Sequence, residues 1–188
     1  MRELSLHVLD VVENGITAGA DCIWIEIDEA PKKDRLKIVI RDNGRGMPVE
    51  KLKNIEDPFI TSRTTRRVGL GLSLLAAAAR RCEGTVRIDS EPGRGTEVEA
   101  TFRYHHIDRA PLGDMPATLG TLIIGNPGID FIYAHRIDGK DFCLDTREIR
   151  KEMKEGFPSD PTVIYHLTES VRSSLKELAS GEDTSESQ

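Results

Sequence analysis

The chain has 188 residues, 38% of them hydrophobic and 31% charged, with a formal net charge of −6. That length accommodates one domain of ordinary size, or one plus a small appendage, and needs neither a disulfide nor a metal as a staple. The acidic balance argues against a general nucleic-acid or anionic-membrane surface, and no apolar run approaches the roughly 20 residues that span a bilayer. Cys22, Cys82 and Cys143 are far apart and lack metal-ligand spacing, so they read as reduced thiols. With no signal peptide at the start, the expectation is a soluble, cytoplasmic protein.

Leu4 to Thr17 is expected to be a helix, because Leu4, Val8, Val11, Val12 and Ile16 form an apolar stripe at helical spacing and Gly19 follows as a stop. Cys22–Asp28 alternates, with Ile23, Ile25 and Ile27 on one face and Trp24, Glu26 and Asp28 on the other. Pro31-Lys32-Lys33-Asp34 makes a turn, and Leu36, Ile38 and Ile40 repeat the alternation in a second strand. From Asn43 to Val68 no period is sustained. A short helix near Val49–Asn54 is expected there, and the rest reads as a long functional loop. Gly69 to Arg81 is a Leu- and Ala-rich helix ended by Gly84. Thr85–Ser90 and Thr96–Tyr104 are strands joined by the turn Pro92-Gly93-Arg94-Gly95.

This order predicts a mainly antiparallel sheet with helices on one face, an α+β two-layer sandwich over residues 1–107. It is not the βαβ alternation of a doubly wound fold, and neither a phosphate-loop lysine motif nor a dinucleotide fingerprint is present. Beyond His106 a linker, Asp108–Pro116, leads into a second unit of residues 108–179. Thr118–Ile124, Ile129–Arg136 and Asp141–Leu144 are expected as strands, with a hairpin turn at Asp138-Gly139. Helices are expected at Thr146–Lys154 and Thr162–Ala179. This unit reads as a small domain or an extension packed on the first, and Phe131, Tyr133 and Phe142 as its core or an apolar docking patch. The segment 180–188 is too polar to fold and is expected to be disordered.

Four short segments carry chemistry. Asp10 and Asn14 lie four residues apart on the first helix, so their side chains share a face, with Glu13 close by. An Asn amide oxygen is a hard neutral ligand of the kind Mg²⁺ accepts beside phosphates and waters. A carboxylate one turn away can orient or deprotonate a water. Asp42 stands where the apolar alternation of the second strand stops. A buried carboxylate there can accept a hydrogen bond from an exocyclic amine, which adenine has and guanine lacks at that position. Gly44 and Gly46 then let the backbone pass close to a flat base. Gly69 and Gly71 sit where a basic loop enters a helix, and exposed N–H groups at a helix start favour phosphate. From Pro58 to Cys82 there is no acid, while Arg63, Arg66, Arg67, Arg80 and Arg81 all fall there. Arg63, Arg66 and Arg67 are placed to close over outer phosphates. Thr96, after Gly95, opens a strand beside the base, and its hydroxyl can reach Asp42 through a water. Taken together, these features predict a protein that binds ATP with magnesium.

The same segments resemble the nucleotide-binding boxes of the GHKL superfamily, which comprises gyrase, the ninety-kilodalton heat-shock chaperone, histidine kinases and the MutL-type mismatch-repair ATPases. Val12-Glu13-Asn14-Gly15-Ile16-Thr17-Ala18-Gly19-Ala20 is similar to the N box. Asp42-Asn43-Gly44-Arg45-Gly46-Met47 resembles the first glycine box. Asp57-Pro58-Phe59-Ile60-Thr61-Ser62-Arg63, with Gly69-Leu70-Gly71-Leu72, is similar to the lid and second box of histidine kinases, and Gly93-Arg94-Gly95-Thr96 continues that likeness. The resemblance covers about residues 4–103 and implies a Bergerat-type ATP-binding fold. It assigns Asn14 to magnesium, Asp42 to the adenine amine, and Thr96 to the water network beside the base. Gly44, Gly46, Met47, Arg63, Gly69, Leu70 and Gly71 go to nucleotide and lid. Asp10 occupies the place where gyrase-like members keep a glutamate general base and many histidine kinases keep asparagine. One methylene shorter than that glutamate, it is left to activate water, to act through a second water, or only to hold the metal shell.

Three functions stay open at this point. One is transfer of the γ-phosphate to a partner, another is slow hydrolysis as a conformational switch, and the third is ATP sensing without turnover. With thirteen residues before Asn14, a phosphoacceptor hairpin is not expected upstream. His166 is the only candidate acceptor in cis, and a lone helical histidine reads as packing or surface. The whole chain, including Pro111-Leu112-Gly113-Asp114 and Gly125-Asn126-Pro127, also resembles small stand-alone bacterial ATP-binding proteins, some of them encoded beside redox subunits. That likeness implies a protein partner of redox or signalling type.

Overall fold

A computed structural model describes residues 3–48, 70–153 and 160–180. Helix α1 covers Leu4–Thr17, followed by strand β1 (Cys22–Ala30), a single 3₁₀ turn at Pro31–Lys33, and β2 (Arg35–Asp42). After residue 69 come α2 (Leu70–Arg81), β3 (Val86–Glu91) and β4 (Gly95–Arg103). The remaining elements are α3 (Met115–Gly125), β5 (Asp130–Ile137), β6 (Lys140–Asp145), α4 (Thr146–Glu152) and α5 (Pro161–Ser180).

The strands form one six-stranded sheet in the order β3-β4-β2-β1-β5-β6. Every neighbouring pair is antiparallel except β1 with β5, which run parallel. Strands β5 and β6 therefore extend the same sheet that the first half of the chain builds. The period-2 alternation fixes the register, because slipping by one residue would turn the apolar set toward water. One row of paired residues, Ile88–Val98–Ile40–Ile25–Tyr133–Leu144, crosses all six strands on the inner face. Against that face pack apolar residues of α1, α2, α3 and α5, including Leu4, Val8, Leu75, Leu119, Ile164 and Val171. Each such aliphatic side chain contributes about 1.5–3 kcal/mol by leaving water. This is the two-layer α+β arrangement expected. Phe131 and Tyr133 are fully buried, as core residues.

The outer face is laced by cross-strand ion pairs, among them Lys37–Glu99, Arg41–Glu97 and Arg136–Asp141. Such exposed pairs are screened by solvent and add little to stability, and their main effect is to keep this face wet. Among the described residues, no helix is long and apolar enough to cross a membrane.

One expected element is corrected. Thr118–Ile124 is not a strand but the body of helix α3. Asp114 caps it, accepting a hydrogen bond from the Ala117 N–H at 2.9 Å, and Pro116 stands in the first turn, where its missing N–H costs nothing. The Thr121 hydroxyl is absorbed by donating to the Ala117 carbonyl. Leu119, Leu122 and Ile123 line its buried face, but the exposed positions Ala117, Thr121 and Ile124 carry no charge. The sequence therefore shows little polar contrast at the helical period, and the β-branched run mimics a strand. The expected helix near Val49–Asn54 and the tail beyond Ser180 lie outside the described residues.

Candidate active site

Helix α1 sits on the sheet through Leu4, Val8, Val11, Val12 and Gly15, all buried. The opposite stripe leaves Glu13 exposed and Asp10 and Asn14 half-buried, one helical turn apart. Two places of close approach fix how this helix meets its neighbours. A Cβ added to Gly71 would lie 2.8 Å from the Asp10 Cβ, so the first turn of α2 abuts Asp10. A Cβ added to Gly15 would lie 2.9 Å from the Asp42 Cβ, so the far end of α1 abuts the end of β2. Asp10, Asn14, Gly71 and Asp42 are thereby strung along one helix.

Asp42 ends β2 opposite Ile23 on one side and Thr96 on the other. Its residue is only 8% exposed. Oδ1 accepts the Gly44 N–H at 2.8 Å. Burial pushes this carboxyl above its ordinary range, against the hydrogen bonds from the Gly44 and Thr96 amides, which pull it down. Among the described residues no cation contributes to that balance. A buried acid held only by backbone amides is poor for stability and well placed to receive an uncharged N–H donor.

The turn after Asp42 is pinned on three sides. Asn43 Oδ1 accepts the N–H groups of Asp21 and Cys22, and its Nδ2 donates to Asp21 Oδ1 at 2.6 Å. Arg45 N–H donates to the Ala18 carbonyl, just past α1, and the Arg45 carbonyl accepts Gly93 N–H in the β3–β4 turn. Gly46 has φ +65°, and a Cβ there would overlap the Glu91 carbonyl. The Met47 N–H donates to Ser90 Oγ at 2.9 Å. Ser90 Oγ in turn donates to the Gly95 carbonyl at 2.9 Å and stands 3.0 Å from Thr96 Oγ1. With the Ser90 proton on Gly95, the Thr96 hydroxyl donates to Ser90 and keeps its lone pairs for a water.

The structure thus gathers Asp42, Gly44, Gly46, Met47 and Thr96 at one end of the sheet, and Asp10 with Gly71 at the start of α2. Leu70 is the first residue of α2. Arg63, Arg66, Arg67 and Gly69 lie outside the described residues. Arg80 and Arg81 belong elsewhere. They occupy the last turn of α2, about 15 Å along the axis from Gly71, where cations complement the helix dipole. Ser90 and Asn43 are site-building residues that sequence reasoning missed. Ser90 offered only a place in an alternating strand, and Asn43 was absorbed into a glycine turn. A cavity of about 480 Å³ borders the seam between α1 and α2, lined by Leu4, His7, Leu74 and Phe102 among others. None of Asp10, Asn14 or Asp42 belongs to its described lining.

For magnesium, the donor chemistry at Asn14 and Asp10 fits. An amide oxygen and carboxylate oxygens one turn apart are hard ligands on a rigid helix, too few for a cage and enough for an ion shared with phosphates. For a purine nucleotide, the buried Asp42 and the glycine-lined turn beside it fit equally.

A family model described as histidine kinase-, DNA gyrase B- and HSP90-like ATPase matches residues 2–106, more than half of the chain. Sporulation kinase C of Bacillus subtilis (strain 168) is 33% identical over 101 residues, which is 54% of this chain and 23% of that protein. The non-motile and phage-resistance protein of Caulobacter vibrioides is 30% identical over 125 residues, covering 62% of this chain and 15% of that protein. The chain therefore spans less than a quarter of the length of these two relatives. Among solved structures, the N-terminal domain of a DNA repair protein superposes with a TM-score of 0.53 at 16% identity, covering 77% of this chain and 53% of that one. That likeness is one of fold.

Proposed function

Because this chain belongs to the histidine kinase-, DNA gyrase B- and HSP90-like ATPase family, we propose that it binds ATP with magnesium and promotes attack on the γ-phosphate. The observation that carries the reading is Asp42, a nearly buried carboxylate with backbone amides as its partners. Adenine donates its exocyclic N–H to Asp42, while guanine would present a carbonyl oxygen to the same acid and be repelled. Gly44, Gly46 and the Met47 backbone line the base, and the Thr96 hydroxyl holds a water between base and acid. The phosphates run along α1 toward the first turn of α2, where Leu70 and Gly71 open the helix and its N–H groups face the anion. Gly69 and Arg63, which precede that turn in the sequence, are assigned to the phosphates by their place in the family's motifs. Asn14 supplies an amide oxygen to magnesium. When bound there, the ion neutralises phosphate charge and so favours departure of ADP.

Asp10 stands beside the start of α2, where the γ-phosphate would lie. It orients a water, whose oxygen attacks phosphorus while the bond to the ADP oxygen breaks. The water proton passes to Asp10 and then to phosphate or solvent. Transfer to an acceptor on a protein partner is the second reading. It is favoured by the relatives whose names mark them as kinases, Sporulation kinase C among them. In that case Asp10 would serve to hold the magnesium shell.

One assay decides among turnover, transfer and sensing. Protein with γ-labelled ATP is followed for free phosphate and for label on added candidate partners. Phosphate release that is lost in Asp10→Asn supports hydrolysis, and label on a partner supports transfer. Saturable binding with neither outcome would leave a sensor.

A further inference from the structure

Helix α1 carries Asp10 and Asn14, yet it does not cap its own beginning. Its N-cap residue, Glu3, makes no side-chain capping bond. Instead the Leu4 N–H donates to the Pro111 carbonyl at 3.0 Å and the Ser5 N–H to the Leu112 carbonyl at 2.8 Å. Two of the orphan donors of that helix start are thus satisfied by chain more than a hundred residues away. The next residue, Gly113, has φ +86°, and a Cβ on it would overlap Ser5 Oγ and come within 2.6 Å of Glu3 Oε2. Asp114 then works in two directions. Its Oδ1 caps α3 through the Ala117 N–H, and its Oδ2 lies 3.0 Å from Arg172 Nη1 on α5. Helix α5 is seated on α3 with equally little slack, since a Cβ on Gly120 would lie 2.5 Å from Thr168 Cγ2.

Four consecutive residues, Pro111-Leu112-Gly113-Asp114, therefore hold the start of α1, the start of α3 and the middle of α5. At the other end, α1 meets Asp10–Gly71 and Gly15–Asp42 with no room for a methyl group. A helix clamped without slack at both ends moves as a rod, so a displacement at residues 4–5 reaches Asn14 about 15 Å away. We infer that Pro111–Asp114 is a joint through which α3 and α5 set the position of α1. Gly113, Asp114 and Arg172 are then positioning residues for the magnesium-side half of the nucleotide site. Thermodynamic reciprocity makes the joint two-way: whatever binds α5 alters magnesium-nucleotide affinity, and nucleotide alters binding at α5 by the same factor. The consequence for nucleotide rests on the ATP reading above, whereas the mechanical joint does not.

The test uses the full chain with Gly113→Ala and Arg172→Gln. Amide exchange across residues 10–17, without nucleotide, reads the joint itself. The ratio of affinities for ATP with magnesium and for ADP in EDTA reads its consequence, because Asp42 belongs to β2 and serves both nucleotides alike. Gly113→Ala is expected to accelerate α1 exchange and to lower the ratio about tenfold, and Arg172→Gln about threefold, the size of effect that single residues along a coupling route ordinarily have. If Gly113→Ala does not fold, Arg172→Gln decides alone. Unchanged α1 exchange in a folded variant overturns the joint. Faster exchange with an unchanged ratio overturns its role in positioning Asn14. Faster α1 exchange in the variants, together with a wild-type chain that binds neither nucleotide, would keep the joint and overturn the ATP reading instead.

Discussion

Gly15 lies directly against the Asp42 carboxylate: a Cβ at residue 15 would stand 2.9 Å from the Asp42 Cβ and 3.2 Å from its Oδ2. Helix and strand end are thereby joined at the acid proposed to read the base. Gly15→Ala must lift α1 or turn Asp42, and overpacking of this kind costs about 1–3 kcal/mol. Chemical denaturation should show that loss. Titration with ATP should show a larger proportional loss of binding than Thr17→Ala, on the same helix, produces.

Asp42→Asn is expected to separate stability from binding. Burial holds the folded-state pKa of Asp42 above its ordinary value of 3.8. Its contribution to stability is therefore fully present below the ordinary carboxylate range and is lost as pH rises through the raised value. At neutral pH the ionised acid is a burden that the amide lacks. Asp42→Asn should accordingly melt higher than wild type at pH 7, with the gain shrinking as the pH is lowered. Its Oδ1 can still accept Gly44 N–H, which turns Nδ2 toward the adenine amine, donor against donor, and ATP binding should disappear. In wild type, ATP affinity should begin to fall at a higher pH than an ordinary aspartate would give.

Ser90→Ala removes the group between the Met47 N–H, the Gly95 carbonyl and the Thr96 hydroxyl. Leaving a buried donor and acceptor without their partner costs about 1–3 kcal/mol. Denaturation curves should show that loss, and calorimetry should show weakened ATP binding, because Met47 is no longer tied to β3. Unchanged binding with lowered stability would make Ser90 purely a fold residue.

A second polar chain sits on the inner face, where Tyr133 Oη lies 2.6 Å from His135 Nδ1 and His135 Nε2 lies 2.8 Å from Glu29 Oε1. Burial pushes Glu29 up, but the hydrogen bonds from His135 and Tyr104 and the nearby His135 and Arg109 charges outweigh it and leave the pKa below 4.5. For an acid so lowered, the stabilisation is present above the ordinary value and lost as pH falls through the folded one. Glu29→Gln should therefore reduce stability at pH 7 and flatten its decline between about pH 5 and pH 3, as urea midpoints across that range would show.

Much of this was legible because the physics is local. Leu4–Thr17 is helical over the residues its apolar stripe marks, and the alternation of Ile23, Ile25 and Ile27 against Leu36, Ile38 and Ile40 places the inner face. The close approaches at Gly15 and Gly71 in the helices, and at Gly46 in the turn after β2, explain why those positions are written in glycine. What escaped depends on distant chain. Helix α3 hides its period because its exposed positions, Ala117, Thr121 and Ile124, carry no charge to contrast with the buried stripe, and its cap, Asp114, looks in sequence like part of a linker. The parallel pairing of β1 with β5 joins Cys22 to Asp130, and nothing near either residue announces it. Ser90 gains its importance only when Met47 and Gly95 converge on it.

The most direct test is an equilibrium titration of the wild-type chain with ATP and with GTP, each in magnesium buffer. Recognition by Asp42 predicts saturable ATP binding and GTP binding weaker by about a hundredfold or more, as a site built to accept one N–H rejects its carbonyl counterpart. Equal affinities, or no ATP binding at all, would contradict it.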